Sequence, residues 1–160
     1  MNTTKLTWLF SLLLPIGAPA SNPCPYGWVQ ATFVNLGCLL FNSTVSYTWE
    51  EAYKYCYENE NATLVEFMTE EQMDFLWMEM NVLAEHESMH HWWSGASDLG
   101  REGEWIWMNS LYPVPDFAWS PAQPNGGIRE NCMYLYPSYA GGEDNTCLAA
   151  YYPICQVKNV

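Results

Sequence analysis

Residues 85–91 read Glu-His-Glu-Ser-Met-His-His, and His86, Glu87 and His90 within them match H-E-x-x-H. On a helix that spacing places two imidazoles on one face, where they can hold a zinc ion whose bound water the glutamate deprotonates. A zinc metallopeptidase is therefore the first chemistry to weigh. The surroundings argue against it. The apolar periodicity upstream ends near Leu83, so His86 to His91 is expected to be a connecting loop, and a core strand is expected from Trp92. The longer peptidase signature also fails, with Trp93 where a glycine belongs and Ala96 where a third histidine belongs. Chance spacing is the preferred account, and no catalytic residue is assigned.

A second concentration of chemistry lies further along. The interval from Asn109 to Asn131 is dense in Pro and Gly and lacks periodicity, and carboxylates and side-chain amides are frequent in and around it. Ordering such a segment is costly without a reason, and a bound ion is one good reason.

The elements that must position these groups can be read from pattern. Trp28 to Phe33 alternates bulky and polar residues, and Gly37 to Phe41 follows a turn, which predicts two early strands. Thr48-Trp49-Glu50-Glu51 is a capping box opening a helix to about Tyr57, with Trp49, Ala52, Tyr53 and Cys56 on one face. Thr69-Glu70-Glu71-Gln72 repeats the device for a second helix, whose apolar face is Met73, Leu76, Trp77, Met80 and Leu83. Short strands are expected at Ala62 to Phe67, around Trp93 and at Trp105 to Trp107. Two late strands, near Cys132 to Tyr136 and Cys147 to Tyr151, close the chain. Helices first and a loop-rich β half second imply an α+β domain. The many tryptophans are expected to be core, since aromatics supply much of the buried area of a small domain.

Composition narrows the function classes. Lys5 followed by the apolar run Leu6 to Ile16 and by Ala18-Pro19-Ala20 has the layout of an export signal, so residues 1–20 are expected to be removed and 21–160 to form one secreted domain. The run is too short to span a bilayer, and no membrane anchor is expected. The formal net charge of -13 becomes -14 once Lys5 is removed. Such a surface disfavours nucleic acid and anionic membranes; it is compatible with a cation partner, although solubility alone would explain it. Six cysteines in an exported chain predict three disulfides, and spacing alone leaves 15 connectivities open. No C-x-x-C pair offers zinc a thiolate site. Asn42-Ser43-Thr44 and Asn61-Ala62-Thr63 are sequons, making Asn42 and Asn61 candidate glycosylation sites.

Taken together, these landmarks resemble the C-type lectin domain in its long form. Cys24-Pro25-Tyr26-Gly27-Trp28 with Cys38 looks like that family's extra N-terminal hairpin. Trp49-Glu50-Glu51-Ala52 with Cys56 is similar to its first helix, Ala62-Thr63-Leu64 to its next strand, and Trp93-Ser94-Gly95 to its W-I-G strand. Gln123-Pro124-Asn125 stands where the family carries its sugar-specifying tripeptide. The resemblance implies a C-type lectin-like fold of two helices packed on antiparallel sheets with a long loop region. It also implies the pairs Cys24–Cys38, Cys56–Cys155 and Cys132–Cys147.

Carried over residue by residue, the resemblance implies a principal calcium site at Gln123, Asn125, Glu130, Glu143 and Asp144, with a cis peptide before Pro124. Gln123, Asn125, Glu130 and Glu143 would also meet the sugar, because two vicinal hydroxyls need two acceptors and two donors beside the ion. Two departures matter. Gly142-Glu143-Asp144 replaces the family's Trp-Asn-Asp, and Q-P-N matches neither the mannose-type E-P-N nor the galactose-type Q-P-D, so the preferred hexose stays open. The acid missing at 123 returns at 143, which keeps the count at three carboxylates and two amides. Asp98, Glu102 and Glu130 match ligands of a second calcium site, weakened because Gly126 stands where a carboxylate is expected; Glu102 by itself also fits a solvated turn. The implied function is a secreted, calcium-dependent lectin for microbial or other foreign glycans. A calcium-independent protein-interaction or ice-binding module on the same fold is the alternative.

Overall fold

The computed structural model describes residues 24–86, 90–138 and 141–158, excepting the side chains of residues 85 and 86. The expected export signal therefore lies outside the described residues, as do Glu87, Ser88 and Met89. Among the described residues two α-helices and eight strands are laid out as an α+β chain. Strand β1 (Val29–Ala31) turns through a 3-10 helix at Thr32–Val34 into β2 (Gly37–Phe41). Helix α1 (Trp49–Glu58), β3 (Thr63–Leu64), α2 (Glu70–His86) and β4 (Trp92–Ser97) follow. Then come β5 (Ile106–Trp107), 3-10 turns at Asp116–Ala118 and Gly127–Arg129, β6 (Cys132–Leu135), β7 (Gly142–Asn145) and β8 (Tyr152–Val157).

Both helix starts follow from their caps. Thr48 and Glu51 exchange bonds: the Glu51 N–H donates to Thr48 Oγ1 at 3.4 Å, and the Thr48 N–H donates to Glu51 Oε2 at 3.0 Å. At α2 the Gln72 N–H donates to Thr69 Oγ1 at 3.2 Å, while Gln72 Oε1 reaches one residue further back to the Met68 N–H at 2.7 Å. On α1, Trp49, Ala52 and Cys56 are buried, and Leu76 and Met80 of α2 are fully enclosed.

The sheet runs in the order β1-β2-β8-β4-β6-β7, with β3 on β8 and β5 on β4. Strand β4 is buried along its whole length because it lies between β8, which it meets in parallel, and β6, which it meets antiparallel. The neighbouring tryptophans Trp92 and Trp93 point to opposite faces and anchor two clusters, one against Phe67, Met80 and Leu135, the other against Trp49, Cys56 and Tyr134. The three cystines are Cys24–Cys38, Cys56–Cys155 and Cys132–Cys147, and no free cysteine occurs among the described residues. No helix among the described residues is long and apolar enough to cross a membrane.

Three sequence expectations are corrected. Helix α2 continues through His86 instead of ending near Leu83, because Ala84 and the polar residues after it prolong the helix once Leu76 and Met80 have docked it. The first strand stops at Ala31, where the chain tightens into the 3-10 turn that brings Val34 and Leu36 into the core. No strand covers Cys147 to Tyr151. That stretch is a turn with a single bridge, Tyr47 to Tyr151, and the late strands are β7 and β8 on either side of it. Alternation in Gly142–Asn145 is carried by acidic and amide residues, so it gives no apolar signal.

Candidate functional site

The site is built where β4, β6 and β7 hand the chain to the long loop. Strands β6 and β7 pair with Met133 opposite Asp144 and Tyr134 opposite Glu143, and the Cys132–Cys147 bond closes their open end. Consecutive residues of β7 therefore face opposite ways, as a strand requires. Asp144 is 5% exposed and turns toward the loop that follows Pro124. Its two oxygens accept the Asn125 N–H, at 3.0 Å each, and Oδ2 also accepts the Gly126 N–H at 2.7 Å. The Gln123–Pro124 peptide is cis, as expected.

Glu143 leaves on the other side. Tyr134 donates its hydroxyl to Glu143 Oε2 at 2.5 Å. Beside this pair, His91 stacks on Tyr136 and Tyr151, with centroids 4.5 Å and 4.9 Å away. Burial holds the His91 imidazole below its usual range, against the nearby Glu143 charge. Tyr134 was not singled out from sequence. Its signal is the polar hydroxyl set between apolar neighbours in Cys132-Met133-Tyr134-Leu135, directly across from an acid.

One cavity of about 320 Å3 gathers most of the expected donors: Asp98, Glu102, Asn125, Glu130 and Asp144 line it, with Trp105 and Pro124. The principal and second ion sites implied by resemblance thus share one space. Gln123 instead lines a neighbouring depression on the far side of Pro124. Asp98, at the end of β4, is 3% exposed; its Oδ2 accepts the Gly103 N–H at 2.8 Å, while Oδ1 is buried with no partner among the described residues. Gln123 Oε1 is buried and unpartnered in the same sense. Glu130 sits among like charges. Desolvation, then Asp144 and Glu143, push its carboxyl above the usual range.

The donor chemistry fits a hard divalent cation. It offers four carboxylates and an amide in one cavity, an orphaned buried oxygen, and mutual repulsion that a cation would relieve. The side chains do not already converge: among the described residues no three His, Cys, Asp or Glu form a group able to hold a metal. Closing on an ion would require side chains of the cavity to rotate, and Glu102 is exposed.

Two departures from the family pattern have local causes. A Cβ at Gly126 would stand 2.2 Å from Glu130 Oε2 and 2.3 Å from its Cβ, so Glu130 fills the space a side chain would need. A Cβ at Gly142 would meet Met133 Sδ at 2.8 Å, and Ser120 reaches across with its N–H on the Gly142 carbonyl at 2.9 Å. The backbone of the loop thus packs directly on β7.

The histidine motif is described only in part. The chain is helical up to His86, but His90 stands outside any helix and packs on Tyr152, with centroids 4.2 Å apart. The side chain of His86, and Glu87 to Met89, lie outside the described residues, so of the expected motif only His90 is placed, off the helix that the peptidase requires.

Comparison with known proteins gives the lineage. The family model for the lectin C-type domain matches residues 45–157. Human CD209 antigen is 31% identical over 137 residues, covering 84% of this chain and 31% of that protein. The gorilla C-type lectin domain family 4 member M is 31% identical over 139 residues, covering 86% and 34% respectively. The chain thus spans about a third of the length of these relatives. Among solved structures, the cow C-type carbohydrate-recognition domain of CD23, determined in the presence of a GlcNAc2Man3 oligosaccharide, superposes with TM-score 0.68 at 29% identity, covering 87% of this chain and 98% of that one. Human lithostathine gives TM-score 0.72 at 22% identity, covering 92% and 99%, a likeness of fold. With its three cystines, its cis-proline loop and a family match over most of its length, this chain belongs to the C-type lectin domain family.

Proposed function

We propose that this protein is a secreted lectin that binds saccharides through calcium held in the cavity of Asp98, Glu102, Asn125, Glu130 and Asp144, and that it serves to recognise microbial or other foreign glycans. The observation that carries the reading is the meeting of four carboxylates and an amide in that one cavity, with a buried Asp98 oxygen left without a partner. Carbohydrate recognition by the cow CD23 domain supports the ligand class. Bound there, calcium would supply coordination positions for adjacent sugar hydroxyls. The protein's part is to complete the hydroxyls' bonding: carboxylates such as Glu130 would accept hydrogen bonds from their O–H groups, and the amide of Asn125 would donate to their lone pairs. Asp144 holds the Asn125 and Gly126 backbone in place, so the loop is positioned before any sugar arrives. The route to Gln123 and Glu143 contacts is a rotation of both side chains toward the ion. Neither the hexose nor any enzymatic step is assigned; nothing in the site is a poised nucleophile.

The test is binding to a monosaccharide array in calcium and then in EDTA. Binding that chelation leaves untouched would reject the mechanism. A calcium-independent interaction module is the second reading, favoured by the engagement of Glu143 with Tyr134 instead of with the cavity. A thermal scan separates the two, since an ion that binds only the folded chain must raise the midpoint.

A further inference from the structure

The cis-proline loop divides two depressions. Beyond the carboxylate cavity lies a larger one of about 610 Å3, within the span of about 300–1,000 Å3 usual for small-ligand sites. The two share Gly103, Trp105 and Pro124 in their linings, so they adjoin. The floor is aromatic. Trp105 and Trp119 both line it and meet each other edge to face, centroids 4.7 Å apart at 79°, with the half-buried Trp119 the more exposed of the two. Ile106 and Val114 continue the apolar lining, and Glu104 and Asp116 stand exposed at the rim. No Lys, Arg or His lines it. Arg101 is engaged with the rim residue Glu104 at 2.6 Å.

These features match one ligand shape. A pyranose ring has an apolar C–H face, which stacks on indole, and a rim of hydroxyls, which donate to carboxylates in charge-assisted bonds. We propose that this depression is a subsite for a second sugar ring, the neighbour of the one captured in the ion cavity, and that it admits rings without an acidic group. It rests on the lectin reading above. Asp116 is the selecting residue: it accepts a hydroxyl of a neutral ring, and it repels the carboxylate of a uronic or sialic acid, while Arg101 beside the rim is already paired with Glu104.

The test uses the whole protein in calcium, titrated with methyl α-mannoside and methyl β-galactoside, then with the mannobioses and lactose, then with disaccharides whose second ring is glucuronic acid. At least one neutral disaccharide should bind about tenfold more tightly than its monosaccharide, roughly what one charge-assisted hydrogen bond supplies. The glucuronate counterpart should gain nothing. In Asp116→Arg the neutral ratio should fall toward one and the acidic ratio should rise, an inversion that simple loss of fold would not produce. Asp116→Ala should lose the neutral gain without creating an acidic one. Equal binding of neutral and acidic disaccharides, or ratios unchanged in Asp116→Arg, overturns the subsite while leaving the ion cavity standing. Failure of every saccharide to bind in calcium overturns the lectin reading, and the subsite with it.

Discussion

Two buried carboxylates, one in each half of the molecule, are treated in opposite ways. Glu66, 1% exposed, lies where β3, β8 and the loop after β5 meet. It accepts Lys158 Nζ at 2.7 Å, Ser110 Oγ at 2.6 Å and Asn109 Nδ2 at 3.1 Å, and its own N–H donates to Gln156 Oε1 at 3.0 Å. Burial pushes its carboxyl up, but the bonds from Lys158, Ser110 and Asn109 and the Lys158 charge outweigh that and hold it below its ordinary value. Asp98, 3% exposed, has one oxygen satisfied and one orphaned, and faces Glu102, Glu130 and Asp144 across a cavity. A buried acid whose needs are met inside the chain fastens the fold; one with an oxygen left open has room for a bond to water or an ion.

That contrast can be broken at either end. The largest effect is expected from Asp144→Ala, which removes a cavity carboxylate and the acceptor of two loop amides: sugar binding should be lost, and so should the calcium-induced rise in thermal midpoint, which for the native chain corresponds to about 2.7 kcal/mol at a hundredfold excess of ion over its Kd. Retained binding would move the site elsewhere. Replacing Cys132 and Cys147 together by alanine opens a 15-residue closure, and urea unfolding should register a loss of about 3 kcal/mol.

A smaller change tests the satisfied acid. Lys158→Met leaves Glu66 its two neutral donors, and because the lysine side chain is 36% exposed the cost should be about 1–2 kcal/mol with little change in calcium response. The pH sign follows from the Glu66 shift. Its folded value lies below the unfolded one, so its contribution is complete above the ordinary glutamate value of 4.5 and is lost as pH falls through the folded value. Glu66→Gln should therefore flatten the acid limb of the midpoint against pH.

The smallest effect sharpens the other side. Glu130 is shifted up, so in EDTA its charged form opposes folding once pH has risen through its folded value. Glu130→Gln should then stabilise the chelated protein slightly at neutral pH, by less than about 1 kcal/mol, while weakening calcium binding. Destabilisation in both conditions would mean that Glu130 is structural.

How much could be read in advance varied with the range of the interaction. The capping residues Thr48 and Glu51 are three apart, and the apolar faces of both helices repeat within a turn, so those elements could be read directly. Cys24, Cys38, Cys56, Cys132, Cys147 and Cys155 announced three cystines, and family resemblance chose the pairing that the structure shows. β7 was missed because its register is fixed by pairing with β6 and by Ser120 reaching back from the loop, neither of which leaves an apolar alternation in Gly142–Asn145.

The candidate site divides in the same way. Sequence and family resemblance singled out Gln123, Asn125, Glu130, Glu143 and Asp144, with Asp98 and Glu102 beside them, as candidate oxygen donors, since residue type and motif position are local properties. Only the tertiary structure decided which of them share a space. It put Gln123 beyond Pro124 with Trp105 and Trp119, turned Glu143 to Tyr134, and set Asp144 under the Asn125 and Gly126 amides, 19 and 18 residues earlier in the chain. Those outcomes depend on strand register and on a backbone packed too closely for side chains at Gly126 and Gly142, and contacts of that kind form only after the sheet has closed.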